Sequence, residues 1–133
     1  MQITFGFLTE LVAVKVREAG SIGRPLWRLQ TDLAFLSQRY GLIVVPAGYV
    51  VDFASVPRLP FVFWLFGDTA HASAAVHDYC VAVLVPQGSM TWQQAAEIFG
   101  EAMEHEGVPL WRRWLMKNAV IGADPANQWE GPM

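Results

Sequence analysis

The chain has 133 residues, 53% hydrophobic and only 16% charged, with a formal net charge of −3 and a single cysteine. That length predicts one domain over 1–133, with a core that hides roughly two thirds of the unfolded surface. The balance excludes a nucleic-acid binder held by phosphate contacts, because only Arg112, Arg113 and Lys117 cluster, and the lone cysteine excludes an internal disulfide.

The first residues, MQITFGFLTE, carry neither the basic start nor the long apolar stretch of a secretory signal, so no signal peptide is expected. Period-two alternation then predicts strands. Val12, Val14 and Val16 share one side, with Ala13, Lys15 and Arg17 opposite. After a Gly20-Ser21-Ile22-Gly23 turn, Trp27, Leu29, Thr31, Leu33 and Phe35 are expected inward on one strand, and Arg28, Gln30 and Asp32 outward. Leu42 to Val45 and Tyr49 to Phe53 follow, joined at Pro46-Ala47-Gly48 by a hairpin-like turn. These successive strands, over about residues 9–53, predict an antiparallel meander.

The stretch VVDFASVPR, residues 50–58, ends that region. Ser55 is a good N-cap and Pro57 suits a first helical turn, so helices are expected from about residue 55 to 122. Leu59 to Phe66 (LPFVFWLF) is far short of the ~20 residues that span a bilayer, so no transmembrane segment is expected there. Residues 71–85 (HASAAVHDYCVAVLV) are apolar almost all round, which predicts a central helix buried on most sides and makes Cys80 an inert buried thiol. The helix from Thr91 to Glu106 opens with Thr91 and Gln94 at capping-box spacing and stops at Gly107. Its inner stripe is Trp92, Ala95, Ala96, Phe99, Ala102 and Met103; Gln93, Gln94, Glu97, Glu101 and Glu104 point out. A last helix runs from about Leu110 to Ile121, with Trp111, Trp114, Leu115 and Val120 expected against the core, before an irregular tail at 123–133. Strands first and helices second predict an α+β fold: an N-terminal antiparallel β-meander packed against C-terminal helices.

Chemistry concentrates on the central helix. His77 and Asp78 are adjacent in a segment otherwise made of Ala, Val, Leu, Tyr and Cys, where an unpaired carboxylate costs several kcal/mol or takes up a proton. Neighbours on a helix diverge by about 100°, so the two cannot simply satisfy each other. Asp52, between Val51 and Phe53, is a third polar group in an apolar setting. His77, Asp78 and Asp52, with His71 in reserve about two turns before Asp78, have the right donors for a divalent metal such as zinc or manganese. The same three serve equally as catalytic candidates, an Asp orienting a His for acid/base work. Against both stands a structural reading, which ranks first: His and Asp hold core elements together, and Asp52 accepts the amide hydrogens that open the Ser55 helix. No HExxH or spaced two-histidine signature is present, and Ser55 lacks the elbow of a serine nucleophile, leaving it a minor binding candidate.

Six tryptophans invite a binding-surface reading, but Trp27 and Trp64 read as core. Trp111 and Trp114 share a helix face beside Arg112. Core packing with a solvated basic edge is the default for them, and a partner-docking patch built on Trp111, Arg112 and Trp114 is the alternative.

VPAGYVVDFASVPR, then AAVHDYC, then AAEIFGEAM and GVPLWRRWLMKNAVIG, in this order and spacing, resemble the small DUF1353 family over roughly residues 25 to 122. The resemblance implies an origin in tailed bacteriophages or prophages, and it maps the family's recurrent polar positions onto Asp52, Ser55, His77 and Asp78. It implies no settled activity. Related sequences tend to carry an acid in an A-D-x-x-F block on the following helix, whereas this chain reads Ala95-Ala96-Glu97-Ile98-Phe99, with Ala96 in the acid's place.

Two functional classes follow. One is a non-catalytic virion or accessory protein, tail-associated, that docks on other phage proteins and uses its Asp/His cluster structurally. The other is a metal-dependent or acid/base phage hydrolase acting on the host envelope during entry or lysis. Low charge and high hydrophobicity favour docking, and so does the missing acid at Ala96. The expected location is the virion or the host cytoplasm.

Overall fold

The computed structural model describes residues 3–16, 26–51 and 71–122. Within them, six strands precede three helices: β1 Gly6–Phe7, β2 Ala13–Val16, β3 Leu26–Leu29, β4 Leu33–Ser37, β5 Gly41–Val45 and β6 Val50–Val51, then α1 His71–Tyr79, α2 Trp92–His105 and α3 Leu110–Gly122. All strand pairings are antiparallel, so the α+β order expected from the sequence stands. The strands divide between two three-stranded sheets, ordered β1-β4-β5 and β2-β3-β6.

Asp32 shows why one expected strand becomes two. Between β3 and β4 its Oδ1 accepts the Ala47 N–H (2.8 Å), and its carbonyl accepts the Thr9 hydroxyl (2.9 Å). Thr9 in turn accepts the Ala34 N–H at 2.9 Å. This polar bend hands the chain from one sheet to the other, and Thr31, expected inward, is exposed. Pro46-Ala47-Gly48 hands it back, so the turn between β5 and β6 joins two sheets rather than closing a hairpin. Val12 and Val14 are also exposed, so no apolar stripe of β2 faces the core.

Leu29, Leu33, Phe35, Ile43, Val45 and Val51 pack against Ala72, Ala75, Val76 and Cys80 from α1 and its continuation, and against Ala95, Ile98 and Ala102 of α2. A second cluster joins Ala74 of α1 to Ala96, Phe99 and Met103 of α2, Val108, and Met116 and Val120 of α3. Helix α1 contributes to both clusters, which accounts for the burial of every residue from Ala72 to Asp78. It is central, as its composition predicts. It continues as a π-helical turn, Cys80–Leu84, marked by the Val85 N–H donating to the Cys80 carbonyl (2.8 Å), and most of this end emerges half-buried.

Helix α2 starts as its capping box predicts, with Gln94 N–H donating to Thr91 Oγ1 (3.0 Å) and Thr91 N–H donating to Gln94 Oε1 (2.9 Å). It is followed by Gly107 at φ +81°, a conformation that costs a side chain strain. The Trp92 indole N–H donates to the Val120 carbonyl (2.8 Å) and ties the start of α2 to the end of α3.

Candidate functional site

His77 is completely buried, and its ring lies 4.8 Å from that of Phe99 with the planes 31° apart. Loss of water around the imidazole lowers its pKa from 6.5 to about 4, so His77 is neutral at pH 7. Asp78, also buried, follows it on α1, and Tyr79 packs edge-to-face on Tyr49 at 5.1 Å. The π-helical turn begins one residue later, a feature frequent beside functional sites. Cys80 is sealed in the core, and its thiol is pushed up to about 12 by burial, which removes it as a nucleophile at neutral pH.

His71, the reserve ligand, is exposed at the first position of α1, while Asp78 is buried near its end. Among the described residues no three His, Cys, Asp or Glu side chains come together in a group able to hold a metal. Asp52 and Ser55, on which the catalytic, metal and N-cap readings depend, lie outside the described residues. The described part of the cluster is therefore His77 and Asp78, a neutral imidazole and a carboxyl group enclosed between two apolar clusters.

Three carboxylates do structural work that sequence reasoning missed. Glu97 and Glu101, expected to point into solvent, instead hold the turn between β4 and β5. Glu101 accepts the Ser37 hydroxyl (2.6 Å) and the Gln38 N–H (2.7 Å). Glu97 accepts the Tyr40 hydroxyl, with Arg39 Nη1 3.5 Å away; that hydrogen bond lowers the Glu97 pKa and raises the tyrosine's. Glu106, the C-cap of α2, accepts both the backbone N–H (2.8 Å) and the hydroxyl of Ser73, in the first turn of α1. A carboxylate at the end of its own helix opposes the dipole there, whereas at the start of another helix it is favoured. That misfit was the available signal.

Helix α3 departs furthest from expectation. Trp111, Trp114 and Leu115 do not pack on the core: Leu110 is 71% exposed, Trp111 51%, Trp114 62% and Leu115 37%. Met116 and Val120 form the side of α3 buried against α2, and Leu110, Trp111, Trp114 and Leu115 belong to neither described apolar cluster. The Arg112 guanidinium lies 5.8 Å from the centre of the Trp111 ring, and Arg113 Nη1 lies 3.5 Å from Glu104.

The family model for DUF1353 matches residues 27–120. The chain belongs to the DUF1353 family. The family is described as a protein of unknown function, so membership by itself brings no activity. No curated protein and no solved structure is similar enough to match this chain. The DUF1353 match takes in most of β3, then β4 to β6, α1, α2 and nearly all of α3, including both the His77–Asp78 pair and the exposed tryptophans. Ala96, where the resemblance implies an acid, is fully buried in the second cluster with Ala74, Phe99 and Met103. An acid there would enter the contact between α1 and α2. Its neighbour Glu97 is engaged with Tyr40 and Arg39 and does not replace it.

Proposed function

We propose that this protein is a phage-encoded accessory or virion protein, tail-associated, whose work is docking. It presents α3 to other phage proteins and carries His77 and Asp78 as internal structural groups. The observation that carries this reading is the row Leu110, Trp111, Trp114 and Leu115 on the exposed side of a helix whose other side is already packed. Tryptophan beside arginine is the usual composition of an interface anchor. The enclosure of His77 against Phe99 and the apolar Ala96 point the same way, since they supply packing rather than a second acid.

The decisive experiment is sedimentation of the particles made by a strain carrying the gene. The wild-type protein is expected to travel with the particles, and a Leu110→Ser/Trp114→Ser double variant to stay behind while keeping its melting temperature. Absence of the wild type from the particles, or equal sedimentation of the variant, overturns the proposal.

A second reading, a hydrolase acting on the host envelope, draws on the π-helical turn beside His77 and Asp78. In its metal-dependent form it requires zinc or manganese to raise the melting temperature, with the rise lost in His77→Ala; in its acid/base form it requires no metal. The docking reading expects no such rise, and expects Asp78→Ala to lower stability by about 1–3 kcal/mol through a buried partner left unsatisfied.

A further inference from the structure

The turn between β4 and β5 is held on α2 by carboxylates whose charge it needs. Leu33, Phe35 and Ser37 occupy the buried side of β4, so a hydroxyl stands where the apolar stripe would otherwise continue. Glu101 reaches it from α2: Oε1 accepts the Ser37 hydroxyl (2.6 Å) and Oε2 accepts the Gln38 N–H (2.7 Å). The Ser37 oxygen in turn accepts the N–H groups of Arg39 (3.3 Å) and Tyr40 (3.1 Å). One helical turn earlier, Glu97 accepts the Tyr40 hydroxyl. A neutral Glu101 would have to donate as well as accept. The Gln38 N–H can only donate, and the Ser37 oxygen already receives two N–H groups, which leaves it no lone pair for a third. Protonation therefore breaks at least one of the two bonds that Glu101 makes.

We infer that Glu97 and Glu101 form an acid-released clasp: ionised, they fix the β4–β5 turn on α2, and protonated, they free residues 38–40 while β4 and β5 stay paired. Leu33, Phe35, Ile43 and Val45 hold that pairing independently, in the first apolar cluster. The groups that face Glu97 are the Tyr40 hydroxyl and Arg39 from the turn, Gln93 from its own helix and Lys117 from α3. The tyrosine bond foremost, then Gln93 and the two cations, hold its pKa below the usual 4.5. The sign follows: the clasp is closed above 4.5 and opens as the pH falls through the lower folded value. This device acts on α2 and the sheet, whatever α3 meets.

His77 takes up its proton in a neighbouring range and weakens the whole domain, so the test does not depend on acid alone. Glu101→Gln reproduces the neutral group at pH 8, because an amide accepts through one oxygen only. Trypsin cleavage of the Arg39–Tyr40 bond, followed by mass spectrometry on the full chain, is expected to be at least tenfold faster in this variant. The amide NMR signals of β4 and β5 are expected to stay in place. In the wild type, the Gln38 amide proton is expected to shift on acidification in step with the Glu101 carboxyl carbon, before the β4 and β5 signals are lost. Equal cleavage of the two proteins, or a Gln38 amide indifferent to Glu101, overturns the inference. So does loss of the β4 and β5 signals together with release of the turn, in the variant or in acid.

Discussion

Helices α1 and α3 invert the usual relation between polarity and burial. Helix α1 takes Ser73, His77 and Asp78 into the interior, whereas α3 leaves Leu110, Trp111, Trp114 and Leu115 at the surface. The difference is one of position. Helix α1 feeds both apolar clusters, one shared with the sheets and one with α2 and α3, so even its polar side chains are enclosed. Among the described residues, helix α3 packs on α2 through the side that carries Met116 and Val120. Interior polar groups then need internal partners, as Ser73 finds in Glu106; a contiguous exposed apolar row is the kind of surface that suits a partner.

Four measurements sharpen or break this contrast. The largest effect is expected from Phe99→Ala, which removes the ring stacked on His77 and opens the second cluster. Denaturant unfolding should show a loss of about 4 kcal/mol. A loss below about 1 kcal/mol would mean that α1 and α2 are not closely packed.

Acid comes next. The His77 pKa falls from 6.5 to about 4 in the folded protein, so between those values the unfolded chain binds more protons and stability drops as the pH is lowered. By proton linkage the full loss is about 3 kcal/mol, present below pH 4 and absent above 6.5. Comparing urea midpoints of the wild type and His77→Phe across that window isolates it. Parallel curves would show that the imidazole is not enclosed.

Glu106→Ala should cost about 2 kcal/mol, because it strands the buried Ser73 hydroxyl and removes a negative charge from the start of α1. A Ser73→Ala/Glu106→Ala double-mutant cycle measures the coupling, and additive effects would remove the tie between the two helices.

The smallest effect belongs to α3. Trp114→Ser should change stability by no more than about 0.5 kcal/mol, as expected for a side chain outside the core. A loss of about 3 kcal/mol would place that tryptophan in a core contact and end the contrast with α1.

Several features of the fold were legible in the sequence because they depend on near neighbours. The capping box of Thr91 and Gln94, the stop at Gly107, the all-round apolar helix after His71 and the change from period two to helical periodicity are all local patterns. So was the anomaly of His77 and Asp78. What local pattern could not decide was which alternations share a sheet. That depended on Asp32 bridging to Ala47 and Thr9, whose partners lie many residues away.

The same limit explains the acids and the tryptophans. By helical phase Glu97 and Glu101 point away from their own helix stripe, but the phase is silent on whether water or Ser37, Gln38 and Tyr40 lie there. Trp111 and Trp114 have the hydrophobicity of core residues and the spacing of one face. That local information determined that they would stand together. Only the tertiary structure decided that they face outward, because burial requires a second layer and Met116 and Val120 occupy the side where that layer is.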